Sequence, residues 1–153
     1  MELSLKDKIK INILIKEYKL NKYCEFLDVV YDLGDIFNIN NKNNYLIKSL
    51  SIDNNIDKKK IKLWELRNIR DNVFKNDIII IADEYFRIKV RLLFPIRFFI
   101  DFINKSITKY QGLDISFYNI SQEKLCLIYD DEHFVSFYMQ NIKKEFLYAR
   151  HIK

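Results

Sequence analysis

The stretch Asn76–Thr108, NDIIIIADEYFRIKVRLLFPIRFFIDFINKSIT, narrows the possible folds more than any other part of this chain. Ile78–Ile81 is an unbroken β-branched run closed by Ala82. It is too short for a helix and stiff at χ1, so it predicts a strand buried on both faces. From Phe86 to Leu92 the pattern alternates: Phe86, Ile88, Val90 and Leu92 point one way, and Arg87, Lys89 and Arg91 the other. That predicts a half-buried strand with a cationic outer face. Pro95, the only proline, suits the first turn of a helix, where its missing N–H would be unpaired anyway. Ile96, Phe99, Ile100, Ile103 and Ile107 then share one helical stripe.

The stretch is apolar over more than the roughly 20 residues a spanning helix needs. Its charges argue against crossing a bilayer, because Arg87, Lys89, Arg91, Arg97, Asp101 and Lys105 recur throughout and each costs about 2.5–3.5 kcal/mol at the bilayer centre. Near the start, Lys6, Lys8, Lys10, Lys16 and Glu17 interrupt any apolar core a signal peptide would need. The expectation is a soluble, unprocessed, cytoplasmic chain with no membrane partner.

A chain of 153 residues, 49% hydrophobic with two glycines, fits a single domain over residues 1–153 with a substantial core. Cys24 and Cys126 lie in apolar surroundings without CxxC spacing, which predicts buried free thiols and neither a disulfide framework nor a zinc site. The formal charge of +5 and pI near 9.0 permit an acidic partner without requiring one. Ile, Lys and Asn make up about two-fifths of the chain, a bias toward A+T-rich codons that discounts the lysine content as a functional signal.

From Ser4 to Lys16 two periodicities compete. Ile9, Ile11, Ile13 and Ile15 alternate like a strand, while Leu5, Ile9 and Ile13 share a helical face, and Ser4 suits an N-cap with Asp7 three residues on. Helix is favoured. Leu20, Tyr23, Cys24, Leu27, Val30 and Tyr31 form a second helical stripe, with Gly34 placed as its C-terminal residue. Asn38–Asn44 reads as a loop and Tyr45–Leu50 as a short strand. After a polar insert, Asp53–Asp57, a helix capped by Asp57 carries Ile61, Trp64, Leu66, Ile69 and Val73. Its lysines Lys58–Lys60 oppose the helix dipole and read as a solvated face. Beyond a turn at Gln111–Gly112 an antiparallel meander follows: Leu113–Tyr118, a central strand Leu125–Tyr129, and Phe134–Met139, with turns at Asn119–Gln122, Asp130–His133 and Asn141–Lys144. Glu145–His151 fits a last strand or helix. The fold class is therefore α+β: N-terminal helices, a mainly antiparallel sheet of five or six strands, and a helix from about Pro95 to Thr108 packed on it.

No spacing of residues points to chemistry. His133 and His151 have no HxH or HExxH context, and Asp130, Asp131 and Glu132 fan out in a turn where a metal would need them to converge. There is no nucleophile elbow, and Gly34 and Gly112 alone cannot build a phosphate cradle. No catalytic residue, metal or cofactor is assigned. Two binding readings remain. Arg87, Lys89 and Arg91, with Tyr85, Tyr118 and Tyr138, offer cations and stacking rings for nucleic acid. Alternatively, ten tyrosines and the acidic tips Asp83-Glu84 and Asp130-Asp131-Glu132 suit a protein partner. In size, codon bias and α+β pattern the chain resembles the small cytosolic immunity proteins of bacterial toxin systems, including contact-dependent inhibition. That resemblance implies a stoichiometric inhibitor of a toxin domain. Because the overall charge is positive, the acidic tips would have to steer a cationic toxin.

Overall fold

The computed structural model describes residues 4–17, 19–30, 34–37, 44–52, 58–82, 87–110, 115–130 and 133–145. The helices are α1 (Leu5–Glu17), α2 (Leu20–Tyr23), α3 (Lys58–Arg70) and α4 (Pro95–Tyr110). The strands are β1 (Cys24–Val30), β2 (Tyr45–Ser51), β3 (Ile78–Ala82), β4 (Arg87–Leu92), β5 (Ile115–Asn119), β6 (Lys124–Asp130) and β7 (Phe134–Asn141). They form one seven-stranded sheet in the order β1-β4-β3-β5-β6-β7-β2, with every neighbouring pair antiparallel. The class is α+β, as the sequence predicts. The meander β5-β6-β7 and the β3-β4 hairpin are also as read.

Helices cover one face of this sheet. Ile11 and Leu14 of α1, Leu20 and Tyr23 of α2, Ile61 and Ile69 of α3, and Phe98, Phe99, Phe102 and Ile103 of α4 meet strand residues such as Ile79, Ile81, Val90, Phe117 and Phe137. Phe99 stands edge-on to Phe98 at 5.0 Å and meets Phe117 at 5.1 Å, an arrangement that favours aromatic pairs. On the other face a 3-10 turn, Gly34–Phe37, and Ile142 close a smaller cluster with Ile80, Tyr118, Leu125 and Leu127. Strands β3, β5 and β6 are thus buried on both sides, which is why Ile78–Ile81 is uninterrupted by polar residues.

Three local predictions need correction. The stripe Leu20–Tyr31 is not one helix: α2 lasts a single turn and Cys24–Val30 is an edge strand paired to β4. The register shifts between Phe26 and Asp28, so Cys24 and Val29, five residues apart, both enter the main core. An unbulged strand cannot do this, and the odd spacing imitates a helical period. This strand also raises the count above the expected five or six. Gly34 opens the 3-10 turn and does not cap a helix. On α4 the buried face is Phe98, Phe99, Phe102 and Ile103, while Ile100 is 41% exposed. The apolar arc of the helix is wider than the buried face, and the helix turns its bulkiest rings to the sheet.

Helix termini are set locally. The Ser4 hydroxyl accepts the Asp7 N–H at 3.1 Å, the cap expected for α1. Lys19 takes a left-handed backbone (φ 52°), which ends α1 and turns the chain into α2. The readings at Asn38–Asn43, at Asp53–Asp57 with its Asp57 cap, at the Gln111–Gly112 turn and at 146–151 lie outside the described residues.

A buried polar group keys α3 to the sheet. Asn119, fully buried at the end of β5, donates to the Asn72 carbonyl and to the Asp77 carboxylate, each at 2.9 Å, and accepts the Gln122 N–H at 3.0 Å. Asn72 in turn donates to the Asn68 carbonyl at 2.8 Å. The buried amide of Asn119 therefore has partners for its donors and for its acceptor.

Candidate functional site

The two edges of the sheet differ in how they meet solvent. An edge strand presents unpaired N–H and C=O groups and is a template for another strand unless it is blunted. On β1 the exposed side chains Glu25 and Asp28 are carboxylates, and Asp28 accepts the adjacent Val29 N–H at 2.8 Å. Arg91 reaches over from β4 to Glu25 at 3.0 Å. That edge is charged and partly self-satisfied.

On β2 the edge is apolar. Tyr45, Leu46 and Ile47 are 71%, 57% and 48% exposed, and only Leu50 and Ile52 turn toward the core. A register shift between Leu46 and Lys48 places Ile47 in a bulge. Beyond it the strand stays paired: Ser49 and Ser136 share a hydroxyl bond at 3.0 Å, and the Ile52 N–H donates to the His133 carbonyl at 2.7 Å. Antiparallel partners alternate between bonded and non-bonded pairs. With Ile52 bonded to β7, Leu50 is the next bonded position, and the N–H groups of Ser49 and Ser51 point to the open side. Phe134 on β7, 45% exposed, lies beside this strand in register with Ser51, and Tyr129, 39% exposed, is one strand further in on β6, in register with Ser136.

The predicted acidic residues Asp83, Glu84, Asp131 and Glu132 lie outside the described residues, as does the side chain of Asp130. The flanking residues are described. Ala82 and Arg87 end one hairpin, and Asp130 and His133 flank the next connection; both emerge at the same end of the sheet, separated by β5. Ser51 also finishes there, beside Phe134.

Arg87, Lys89 and Arg91 do share the outward face of β4, as expected, and each is half-buried. Their charge is partly engaged: Arg91 by Glu25, and Arg87 over the Phe37 ring at 5.5 Å. Lys89 lies opposite Asp28. Tyr118 is not available for stacking, because it is fully buried with its hydroxyl donating to the Ile142 carbonyl.

Both cysteines are free and buried, as expected, and burial pushes their thiols from 9.0 up to about 12, slightly eased at Cys126 by Lys124. Among the described residues no group of three or more His, Cys, Asp or Glu could hold a metal ion. A groove of about 300 Å³ lies between α3 and α4, lined by Lys59, Lys62, Leu63, Leu66, Ile100, Ile103 and Asn104.

The fold and this edge define an α+β protein in which, among the described residues, the apolar edge strand β2 has no strand on its outer side. No protein family, curated protein or solved structure compared with the chain matches it.

Proposed function

We propose that the chain is a cytoplasmic protein-binding module that receives an extended segment of its partner on the free edge of β2. The partner would be a toxin domain neutralised by stoichiometric binding, as the resemblance to immunity proteins implies. The observation that carries the reading is the contrast between the two edges: β1 is lined by carboxylates, and β2 exposes Tyr45, Leu46 and Ile47 beside outward N–H groups. An unpaired backbone edge is complementary to one kind of ligand, another polypeptide strand, with affinity from main-chain hydrogen bonds and selectivity from alternate side chains. Strand β6 ends at Asp130 at the end of the sheet where β2 also finishes, and the acidic residues Asp130, Asp131 and Glu132, with Asp83 and Glu84, would steer a cationic partner. The nucleic-acid reading of Arg87, Lys89 and Arg91 is second, because Arg91 is paired to Glu25 and Tyr118 offers no stacking face.

Proline substitutions separate binding from folding. Ser51→Pro removes an outward donor and is tolerated on an edge, whereas Leu50→Pro removes a bond to β7. With the partner captured from the native host, Ser51→Pro should weaken the complex about tenfold or more at near-normal stability. Unchanged affinity in Ser51→Pro would remove β2 from the contact.

A further inference from the structure

We propose that the outer face of the helix layer rests on an anionic membrane surface, with α1 lying in the headgroup region. Helix α1 buries Ile11 and Leu14 in the main core, yet Leu5, Ile9 and Ile13 are 75%, 52% and 58% exposed. At about 100° per residue these three form one stripe on the side of the helix opposite the buried pair. Single exposed aliphatics need no explanation, but a continuous stripe is a contact surface. Lysines accompany it: Lys6 on one flank, Lys8 on the other, and Lys16 one turn beyond. The one acid among the described side chains of α1, Asp7, projects on the sheetward side.

A second patch of similar make-up is the α3-α4 groove, where Leu63 and Ile100 are 54% and 41% exposed and Lys59 and Lys62 share the lining. Two separate places in the helix layer thus repeat a single chemistry, aliphatic surface bordered by ammonium groups. Lysine stems lie along apolar surface while their charged heads reach phosphate at a membrane surface. Protein contacts concentrate their energy in Trp, Tyr and Arg, and neither the stripe nor the groove lining has one. Charge and composition therefore favour an anionic lipid surface over an acidic protein. Lying on a membrane differs from crossing one: no described helix is long and apolar enough to cross, and the expectation of no membrane partner rested on crossing and on the signal-peptide pattern, not on surface contact. None of the residues named for this surface belongs to β2.

Vesicle co-sedimentation of the full chain tests this. Pelleting is expected with vesicles of phosphatidylcholine plus phosphatidylglycerol, not with phosphatidylcholine alone, and should fall as salt is raised. Lys8→Glu with Lys16→Glu should cut binding by at least about fivefold for each lysine lost. Ile9→Asp with Ile13→Asp should abolish it without changing the thermal melt, since both side chains are exposed. Should the α1 variants melt early, Leu63→Asp with Ile100→Asp carries the same expectation. Equal pelleting with both vesicle types, none with either, or binding unchanged in well-folded variants would overturn the proposal. So would capture of an acidic protein by this face without any vesicle binding.

Discussion

Replacing Asn119 by alanine probes how α3 is held to the sheet. The side chain is fully buried and makes three bonds: donors to the Asn72 carbonyl and the Asp77 carboxylate at 2.9 Å, and an acceptor to the Gln122 N–H at 3.0 Å. Two of these are neutral, worth about 1 kcal/mol each, and the one to Asp77 is charge-assisted, worth about 1.5–3 kcal/mol. Asp77 keeps the Phe74 N–H at 2.9 Å, so its carboxylate is weakened in its setting but not stranded. The expected loss is about 3.5–5 kcal/mol, which for a chain of this length lowers Tm by roughly 10–15 °C. Urea unfolding followed by circular dichroism, with calorimetry for Tm, measures it. Asn119→Leu should lose a similar amount, because its volume does not restore a partner to the buried carbonyl. A loss below about 1 kcal/mol in Asn119→Ala would refute the reasoning, since it would mean water replaces these bonds without cost.

Other consequences are more local. The buried thiols stay protonated in the folded chain up to about pH 12 but ionise from pH 9.0 when unfolded. Their contribution to stability is full below pH 9.0 and is lost as pH rises toward 12, at up to about 1.4 kcal/mol per pH unit per thiol. Comparison with Cys24→Ala plus Cys126→Ala should show a shallower alkaline decline in the variant. Truncating Arg91 to alanine should cost less than about 1 kcal/mol, because its pairing with Glu25 is solvent-exposed and screened, and a chemical melt resolves that limit. Phe98→Ala, by contrast, opens a cavity beneath α4 and should cost about 3–5 kcal/mol in the same assay.

Much of the architecture was legible where one physical demand acted alone. Ile78–Ala82 and Arg87–Leu92 read correctly because burial on two faces and on one face leave different patterns, and Pro95 marked the start of α4 because its geometry admits few other places. The failures share a cause. At β1 the bulge at Leu27 breaks the period of two, and pairing with β4, invisible in sequence, outweighs the helical spacing of Leu20–Val30. Helix α1 was legible as a helix, but the stripe Leu5-Ile9-Ile13 that argued for it turned out to face solvent, with Ile11 and Leu14 inside. Two apolar faces on one helix carry no label saying which is core. The β2 segment read as a strand, yet its edge position follows only from the sheet order, to which no local residue testifies. The cationic strip was placed correctly, while its partners Glu25 and Phe37 come from elements distant in sequence.

The most direct measurement of the β2 contact is site-specific photo-crosslinking in the native host. A photoreactive phenylalanine analogue replaces Ile47 in one variant and Glu25 in another, so that each sheet edge reports separately. The account predicts a single discrete crosslinked protein from position 47, absent from position 25 and lost when Ser51→Pro is added. Crosslinking from position 25 alone, or a position-47 product that survives Ser51→Pro undiminished, would contradict it.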